Sequence, residues 1–358
     1  MRRLLPLLAL ALLDCREAPR THRWSAMDCN MAVTLYDRID RPADTLFAAV
    51  EKETARLEAL FSDFMAGSAL SAVQGSIGDT VRIDPEMRLV LAAALDMGQA
   101  SGGTFDITLH DLKALWGIGT GRTGRVPDSS EIDSAMASNP AYGKPAGSPP
   151  PSPPLSLVGG DRAVILRKRT PLDLGGIAKG YVVDRLHALL DSLGSPAHLI
   201  QAGGEIRTGG RKARAPWKVG IRHPRIADSV CALLTSQDPL AVSTSGDYER
   251  YFMADGIRYH HLFDPHTGRP ARAACAVTVV AGSGLLTDAL AKPLFILGPA
   301  AGAPLAKGLG AKAVWFLEGK DGVCAVPMPD MDGLLTLQGV PLCAGPQHAA
   351  LRPRKGGV

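Results

Sequence analysis

The chain has 358 residues, of which 46% are apolar and 21% are charged, so it can bury the core of one large domain or of two modest ones. The formal net charge is only +4, and the basic residues are scattered apart from two short clusters at 211–214 and 352–355. Because no aromatic side chains interleave with the first cluster, it is typical of a solvated hairpin loop, and we expect no nucleic-acid partner.

The N-terminus has the pattern of a secretion signal. Arg2 and Arg3 give it a basic start, and Leu4–Leu13 is almost wholly apolar but too short to span a bilayer. Two fates remain open, namely cleavage near the small-x-small sequence that ends at Ala11 and attachment of a lipid at Cys15. We therefore expect an exported, periplasmic protein that is either soluble or held at the inner membrane by a lipid anchor.

The first part of the chain predicts a strand followed by helices. A strand at Ala32–Tyr36 precedes a helix at Thr45–Phe61, in which apolar residues recur at helical spacing. A second helix at Pro85–Ser101 ends at a glycine pair, and a short third helix spans Ile132–Ala137. Residues 144–154 contain six prolines together with Gly and Ser, so we interpret them as a low-complexity insertion.

Beyond this insertion the predicted strands outnumber the helices. Two helices are predicted, at Ala178–Leu193 and Thr287–Leu297. The predicted strands are Ala163–Leu166, His198–Ala202, Trp217–Arg222, Leu240–Ser243, Arg258–Phe263 and Ala276–Ala281. Runs of strands with a few long helices indicate an α+β fold with mixed sheets and packed helices.

These elements divide the chain into three parts. We assign residues 1–23 to the signal peptide and a polar linker, 24–345 to one domain and 346–358 to a flexible tail. The cysteines are widely spaced, with no C-x-x-C pair, so they indicate neither a zinc site nor a dense disulfide framework. One or two disulfides remain possible in an exported protein, and their pairing is left open.

Five polar or glycine-rich clusters stand at the ends of these elements, where backbone amides and carbonyls are free to bind ligands. Each of them, taken alone, is a common turn sequence. No Walker or Rossmann glycine motif occurs in the chain. The clusters are Gly102–Asp106, Asp173–Tyr181, Ala202–Ile206, Ser243–Tyr248 and His260–Gly268.

The second cluster has the features of a diphosphate-binding loop. Gly175 and Gly176 precede a predicted helix N-terminus, and they would let the chain approach a pyrophosphate closely. Lys179 stands in the first turn of that helix, where its ammonium would offset phosphate charge.

The order and content of the five clusters resemble the ApbE family, the FAD:protein FMN transferases, from Met27 to about Pro299. The resemblance implies an ApbE-like, T-fold-related fold and a reaction that depends on Mg²⁺. In that reaction a Thr or Ser hydroxyl of a target protein takes the FMN half of FAD, and AMP leaves. The implied acceptor is an electron-transfer protein at the membrane.

The resemblance also implies roles for individual residues. His261 matches the family's proposed general base, and an imidazole with an ordinary pKa of about 6.5 suits that task. The metal is implied to contact the Gly176 carbonyl, Asp288 and the position of Lys292. The residues implied to line the FAD site are Met27, Phe64, Thr104, Phe105, Asp106, Asp173, Lys179 and, through its main chain, Leu262.

The sequence departs from the family pattern at three places. Phe64 stands where relatives usually have a tyrosine stacked on the flavin, and Met27–Cys29 differs from the usual Met-Gly-Thr. Lys292 replaces a threonine one helical turn after Asp288, and an ammonium cannot ligate magnesium. Two consequences remain open: Lys292 pairs with Asp288 and the pyrophosphate in place of the metal, or the site binds flavin without transferring it.

Three functions therefore remain open besides a globular protein without a cofactor. The first is the transferase, and the second is an FAD pyrophosphatase in which water replaces the protein hydroxyl and FMN and AMP are released. The third is a non-catalytic flavin-binding or assembly protein, which Lys292 favours.

Overall fold

The computed structural model describes residues 18–36, 41–63, 65–76, 78–118, 124–138, 155–159, 162–165, 171–213 and 215–344. The helices within these ranges are α1 (Ala43–Phe61), α2 (Ala69–Gly75), α3 (Pro85–Ala100), α4 (His110–Trp116), α5 (Ser129–Ser138), α6 (Ala178–Ser192) and α7 (Gly284–Gly308). A single 3₁₀ turn spans Pro329–Met331.

The strands carry most of the second half of the chain. They are β1 (Arg20–Ala26), β2 (Cys29–Tyr36), β3 (Thr80–Arg82), β4 (Leu155–Val158), β5 (Arg162–Ile165), β6 (Ala197–Ala202), β7 (Glu205–Gly210), β8 (Trp217–Arg222), β9 (Val230–Ser236), β10 (Ala241–Gly246), β11 (Tyr251–Ala254), β12 (Ile257–His260), β13 (Phe263–Asp264), β14 (Arg269–Pro270), β15 (Ala276–Ala281), β16 (Lys312–Gly319), β17 (Gly322–Pro327) and β18 (Leu335–Leu337).

One eight-stranded sheet, in the order β1-β2-β6-β7-β10-β15-β16-β17, forms the centre of the molecule. Its neighbouring strands all pair antiparallel. The α+β class is confirmed, although in the described residues the only parallel pairing is a single bridge between Ala325 and Leu342. Smaller sheets contain β18-β9-β8 and β3-β5-β4.

The core lies between the main sheet and helices α1, α6 and α7. Met31, Val33 and Leu35 alternate along β2 and are buried, as expected for a strand with one covered face. Helix α7 packs against α6 and against β10, β15 and β16. It is long and apolar enough to cross a membrane by length and composition alone, yet most of its apolar stretch is buried here as a core helix.

Helix α7 is longer than predicted because it continues through a break. Ser283 caps its start by accepting a hydrogen bond from the Leu286 N–H, so the helix begins before Thr287. The Gly298-Pro299 pair, which looks like a stop in the sequence, is a kink at which Gly298 has a φ of 71°.

Two further predictions on the chain are wrong in part. Residues 20–23, predicted as linker, begin β1, which pairs with β2 and so belongs to the sheet. The predicted strand Arg258–Phe263 is interrupted, because His261 and Leu262 form a loop between β12 and β13. The signal peptide, the proline-rich stretch 144–154 and the tail 346–358 lie outside the described residues, and the division of the chain into these parts stays a prediction.

Candidate active site

Four of the five clusters, the β1–β2 turn and α7 contribute polar groups to one region of the fold. In the main sheet, Met31 pairs with Ala202 and Ala202 pairs with Glu205, so the β1–β2 and β6–β7 turns lie at the same end of adjacent strands. Helices α6 and α7 cross beside this end, and Gly180 allows their backbones to touch. A Cβ on Gly180 would overlap the Gly284 carbonyl oxygen.

Asp288 lies in the second turn of α7 and is fully buried. Both of its carboxylate oxygens have partners. Lys292 Nζ bonds to Oδ1, and the Gly180 N–H donates to Oδ2 at 2.8 Å. Burial opposes ionisation, but the ammoniums of Lys292 and Lys179 and the Gly180 N–H outweigh it and hold the pKa of the Asp288 carboxyl below its usual value.

Lys179 and Glu205 form a second buried pair beside Asp288. Lys179 Nζ lies 3.7 Å from Glu205 Oε2 and donates to the Gly175 carbonyl at 3.1 Å. Burial raises the pKa of Glu205 to about 7; the Asp288 carboxylate adds to this rise, and Lys179 opposes it. Burial disfavours the charged form of Lys179, but the carboxylates of Glu205 and Asp288 raise its pKa overall, so the ammonium stays charged at neutral pH.

Asp173 is held by the loop before α6 and by α4. Its carboxylate pairs with Lys113 and accepts the Gly175 N–H at 2.8 Å. Burial would raise its pKa, but these two partners outweigh burial and bring the pKa to about 2. Asp173 is therefore an anion that orients the Gly175–Gly176 turn rather than a group that exchanges protons near neutral pH.

The loop Gly102–Asp106 packs against this turn. Its Phe105 ring lies so close to Gly176 that a Cβ there would be 3.3 Å from the ring. The Phe105 N–H donates to Ser101 Oγ at 2.9 Å, which fixes the loop on the end of α3. The structure thus brings Phe105 and Gly176 together.

The polar residues of the same loop bond within the fold. Thr104 is buried, and Asp106 accepts hydrogen bonds from the Thr108 N–H at 2.8 Å and from its hydroxyl at 2.6 Å. The Asp173 N–H donates to the Ile107 carbonyl at 2.7 Å, so the two loops are joined through their backbones.

His261 lies in the loop after β12, and its backbone and its ring both meet Arg250. The His261 N–H donates to the Arg250 carbonyl at 3.1 Å, and Nδ1 lies 3.3 Å from the same oxygen. Burial and the positive charges of Lys113 and Arg250 hold the pKa of His261 well below its usual value. The ring is therefore neutral at physiological pH, the state that a general base needs.

The β1–β2 turn is connected to His261 through Arg250. The guanidinium of Arg250 bonds to the Asp28 carboxylate at 2.7 Å. Met27 and Asp28 both have a φ of 54°, in the left-handed region that glycine adopts without cost. Glycine at the second position, as in the Met-Gly-Thr pattern expected from the resemblance, would adopt this backbone freely, and Asp is among the residues that tolerate it. The Met27 N–H donates to Glu58 Oε1 at 2.7 Å.

Leu262 does not offer free main-chain groups in the described residues. Its N–H donates to His260 Nδ1 at 3.3 Å, and its carbonyl accepts the Ala271 N–H at 2.9 Å. The predicted main-chain contact of Leu262 with FAD would therefore compete with bonds that hold the loop. Phe64 lies outside the described residues.

The residues predicted to hold magnesium do not fit that ion as they lie. Mg²⁺ takes oxygen ligands at about 2.1 Å in an octahedron. Both oxygens of Asp288 already have partners, and the Lys292 ammonium occupies one of them in place of a metal ion. The Lys292 side chain also lies near Gly176, so it fills the space between two of the predicted ligand positions.

Sequence reasoning missed three residues of this site. Glu205 belongs to the glycine-rich cluster Ala202–Ile206. The sequence pattern that could have identified it is an acidic residue directly after Gly-Gly, between two apolar strands. Lys113 and Arg250 had no such signal, because each reaches its partner only through the tertiary fold, 60 residues away for Lys113 and 222 for Arg250.

Comparisons with known proteins identify the family of this chain. The sequence model of the ApbE family matches residues 27–315. The chain belongs to the ApbE family. A protein of Treponema pallidum named FAD:protein FMN transferase is 33% identical to it over 278 residues, which cover 72% of this chain and 74% of that one.

Solved ApbE structures share the fold. The ApbE protein of Thermotoga maritima superposes with a TM-score of 0.75 at 29% identity, covering 88% of this chain and 98% of that one. The apo form of the flavinyl transferase ApbE of Pseudomonas stutzeri has a TM-score of 0.74 at 30% identity, covering 89% and 97%. The family predicted from the five clusters and the ApbE-like fold are both confirmed.

Proposed function

We propose that the protein is an FAD:protein FMN transferase. The observation that carries the proposal is a neutral, partly buried His261 close to the ammonium of Lys113, which pairs with Asp173 beside the Gly175–Gly176 turn. The partly buried ammoniums of Lys179 and Lys292 lie beside the same turn. Such a set suits a bound diphosphate, because positive charges that are partly shielded from water offset phosphate charge. Membership in a family with relatives named for this activity supports the same assignment.

The proposed reaction transfers one phosphoryl-linked group. A Thr or Ser hydroxyl of the acceptor protein attacks the FMN-side phosphorus of FAD, a new P–O bond forms, and the bond to AMP breaks. His261 accepts the hydroxyl proton, since its ring is neutral at physiological pH. Lys179 and Lys292 stabilise the charge that develops on the phosphates and on the leaving AMP.

The family resemblance implies that the reaction requires magnesium, and the second part of the proposal concerns this requirement. In the arrangement described, Lys292 supplies positive charge at Asp288, where relatives would bind the ion. We propose that this ammonium takes over the electrostatic task of the metal at that position, so that the reaction persists when divalent ions are chelated. A loss of all turnover in EDTA would assign the task to Mg²⁺ instead.

We also propose that the protein acts outside the cytoplasm, on an electron-transfer protein at the membrane. The basic and apolar N-terminus favours export. A disulfide between Cys324 and Cys343 supports it, because such bonds persist in oxidising compartments. Lipid attachment at Cys15 would place the enzyme next to such an acceptor.

One observation favours the non-catalytic alternative. Lys292 leaves Asp288 without a free oxygen, so a protein that depends on metal there would bind flavin and not cleave it. Product analysis separates the candidates. A pyrophosphatase releases AMP when it is incubated with FAD alone. The transferase releases AMP and yields a flavinylated acceptor when both FAD and an acceptor protein are present. A binding protein gives neither product.

A further inference from the structure

Two histidines and an aspartate meet at the C-terminal end of α6, away from the candidate active site. His187 and Asp191 are four residues apart on α6 and so share a face, and His198 reaches them from β6. His187 Nδ1 lies 2.9 Å from His198 Nε2. The Asp191 carboxylate lies 3.6 Å from His187 Nε2 and 3.8 Å from His198 Nε2.

The fold leaves room for these rings on the neighbouring strand. Gly209 of β7 is the register partner of His198. A Cβ at position 209 would overlap His198 Nε2 and would lie 2.7 Å from His187 Nδ1. His198 is fully buried, His187 is partly buried and Asp191 is exposed. The cluster is thus enclosed by the protein around His198 and open to solvent at Asp191.

The nearest positive charge has its own partner. Arg207 lies close enough to affect both histidines, and its Nε is 3.3 Å from the Asp184 carboxylate. Asp184 therefore offsets much of the charge that would otherwise repel a cation.

We propose that His187, Asp191 and His198 bind Zn²⁺, with water as the fourth ligand. Two imidazole nitrogens and one carboxylate form a donor set that suits zinc and not magnesium. Ligands at about 2.1 Å from a tetrahedral ion are separated by about 3.4 Å. His187 Nδ1 and His198 Nε2, which lie 2.9 Å apart, must therefore separate slightly. The exposed Asp191 carboxylate must move to complete the set with these two nitrogens, and the three ligand atoms already lie within 4.8 Å of one another.

The role of this ion is to fasten α6 to β6. Lys179 lies in the first turn of α6 and Asp191 in the last, about 18 Å apart along the helix axis at 1.5 Å per residue. The zinc therefore lies too far from the diphosphate-binding lysine to take part in the transfer. It would instead fix the helix whose other end carries that lysine.

The test is a titration of the metal-free, full-length protein with Zn²⁺ against a chromogenic chelator. We expect His187→Gln and Asp191→Asn each to weaken binding by roughly tenfold or more. His22→Gln is the matched control, because His22 forms a two-membered pair with Glu51 at 2.6 Å and should leave Zn²⁺ affinity unchanged.

A second measurement identifies the ligands directly. In long-range ¹H–¹⁵N spectra of the histidine rings, Zn²⁺ should shift the nitrogens of His187 and His198. Full affinity in both His187→Gln and Asp191→Asn, or ring signals of His187 and His198 that do not respond to Zn²⁺, would overturn the proposal. Binding that is lost in both variants, with unchanged FAD cleavage, would support it.

Discussion

Lys292 donates both to the Asp288 carboxylate and to the Asp288 main-chain carbonyl, the latter at 2.9 Å, so one ammonium covers the buried aspartate of α7 from two sides. The pair joins two turns of one helix, and the Gly180 N–H of α6 completes the shell of the carboxylate. A charge that would otherwise attract a metal is thus neutralised within the chain.

Removing the ammonium tests this relationship. In Lys292→Met the buried Asp288 carboxylate loses its cation, and we expect the free energy of unfolding to fall by about 3 kcal/mol. In Lys292→Thr the loss should be partly recovered by Mg²⁺, which would raise the melting temperature of the variant and not that of the wild type. Lys307→Thr, an exposed position on the same helix, is the control and should show neither effect. A wild-type protein that Mg²⁺ stabilises as strongly as the Thr variant would contradict the account.

His261 is expected to act as a base throughout the physiological range. His261→Asn should lower the rate of AMP release by about 10²- to 10⁴-fold and leave the dissociation constant of FAD within a few-fold of wild type. Because the pKa of His261 is held well below 6.5, its neutral form persists as the pH falls. The wild-type rate should therefore not drop between pH 8 and pH 6 through protonation of this ring. Stopped assays across that pH range measure the rate of AMP release. A rate that falls with an apparent pKa near 6.5 would show that His261 is solvated in the working enzyme.

Glu205 predicts a pH dependence of stability with a definite sign. Its pKa rises from 4.5 to about 7 on folding. The folded state therefore favours the protonated carboxyl, and the stability that this provides is present below pH 4.5 and lost as the pH rises through about 7. Glu205→Gln should be more stable than wild type at pH 8 by about 3 kcal/mol and similar to it at pH 4.5.

Urea unfolding at several pH values measures this difference. Glu249→Gln, at an exposed residue that pairs with Arg222, should keep the wild-type pH slope. Parallel pH curves for wild type and Glu205→Gln would mean that Glu205 stays charged in the folded protein.

The contact of α6 with α7 depends on the absence of a side chain at position 180. A Cβ there would overlap the Gly284 carbonyl and lie 2.5 Å from Asp288 Cβ. Gly180→Ala must push the helices apart, so we expect a loss of about 3 kcal/mol of stability and weaker FAD binding. Gly282→Ala has no atom within 4 Å of its new Cβ and should be close to neutral. Equal urea midpoints for the two variants would show that the helices can separate without cost.

Much of the fold and of the site was open to prediction from local sequence. The alternation at Ala32–Tyr36 and the helical spacing at Thr45–Phe61 gave correct elements, because each has one buried face that imposes its own period. The loop His261–Leu262 was predicted as strand, because its bonds to His260 and Ala271 depend on neighbours that periodicity does not reveal.

The charges of the site were harder to predict than its glycines. Gly175 and Gly176 carry a local backbone signal, and the Lys292–Asp288 pair follows from a spacing of four on one helix. The Gly180 N–H that completes the shell of the Asp288 carboxylate instead depends on how α6 and α7 pack. The His187, Asp191 and His198 cluster had an i, i+4 spacing as its only sequence signal, and its third member lies on β6, which the turn after α6 brings back beside the helix. Local sequence patterns thus predicted where the glycine-rich loops lie, whereas several ion pairs and hydrogen bonds of the site depend on tertiary packing.

The most direct test of the account is the mass of the acceptor after reaction. Purified protein and FAD are incubated with a membrane electron-transfer protein that offers a Thr or Ser acceptor, and intact acceptor masses are compared with those from His261→Asn. The account predicts a gain of one FMN minus water with an equal amount of AMP, in the wild type only. An unmodified acceptor in the presence of bound FAD, with or without AMP release, would contradict it.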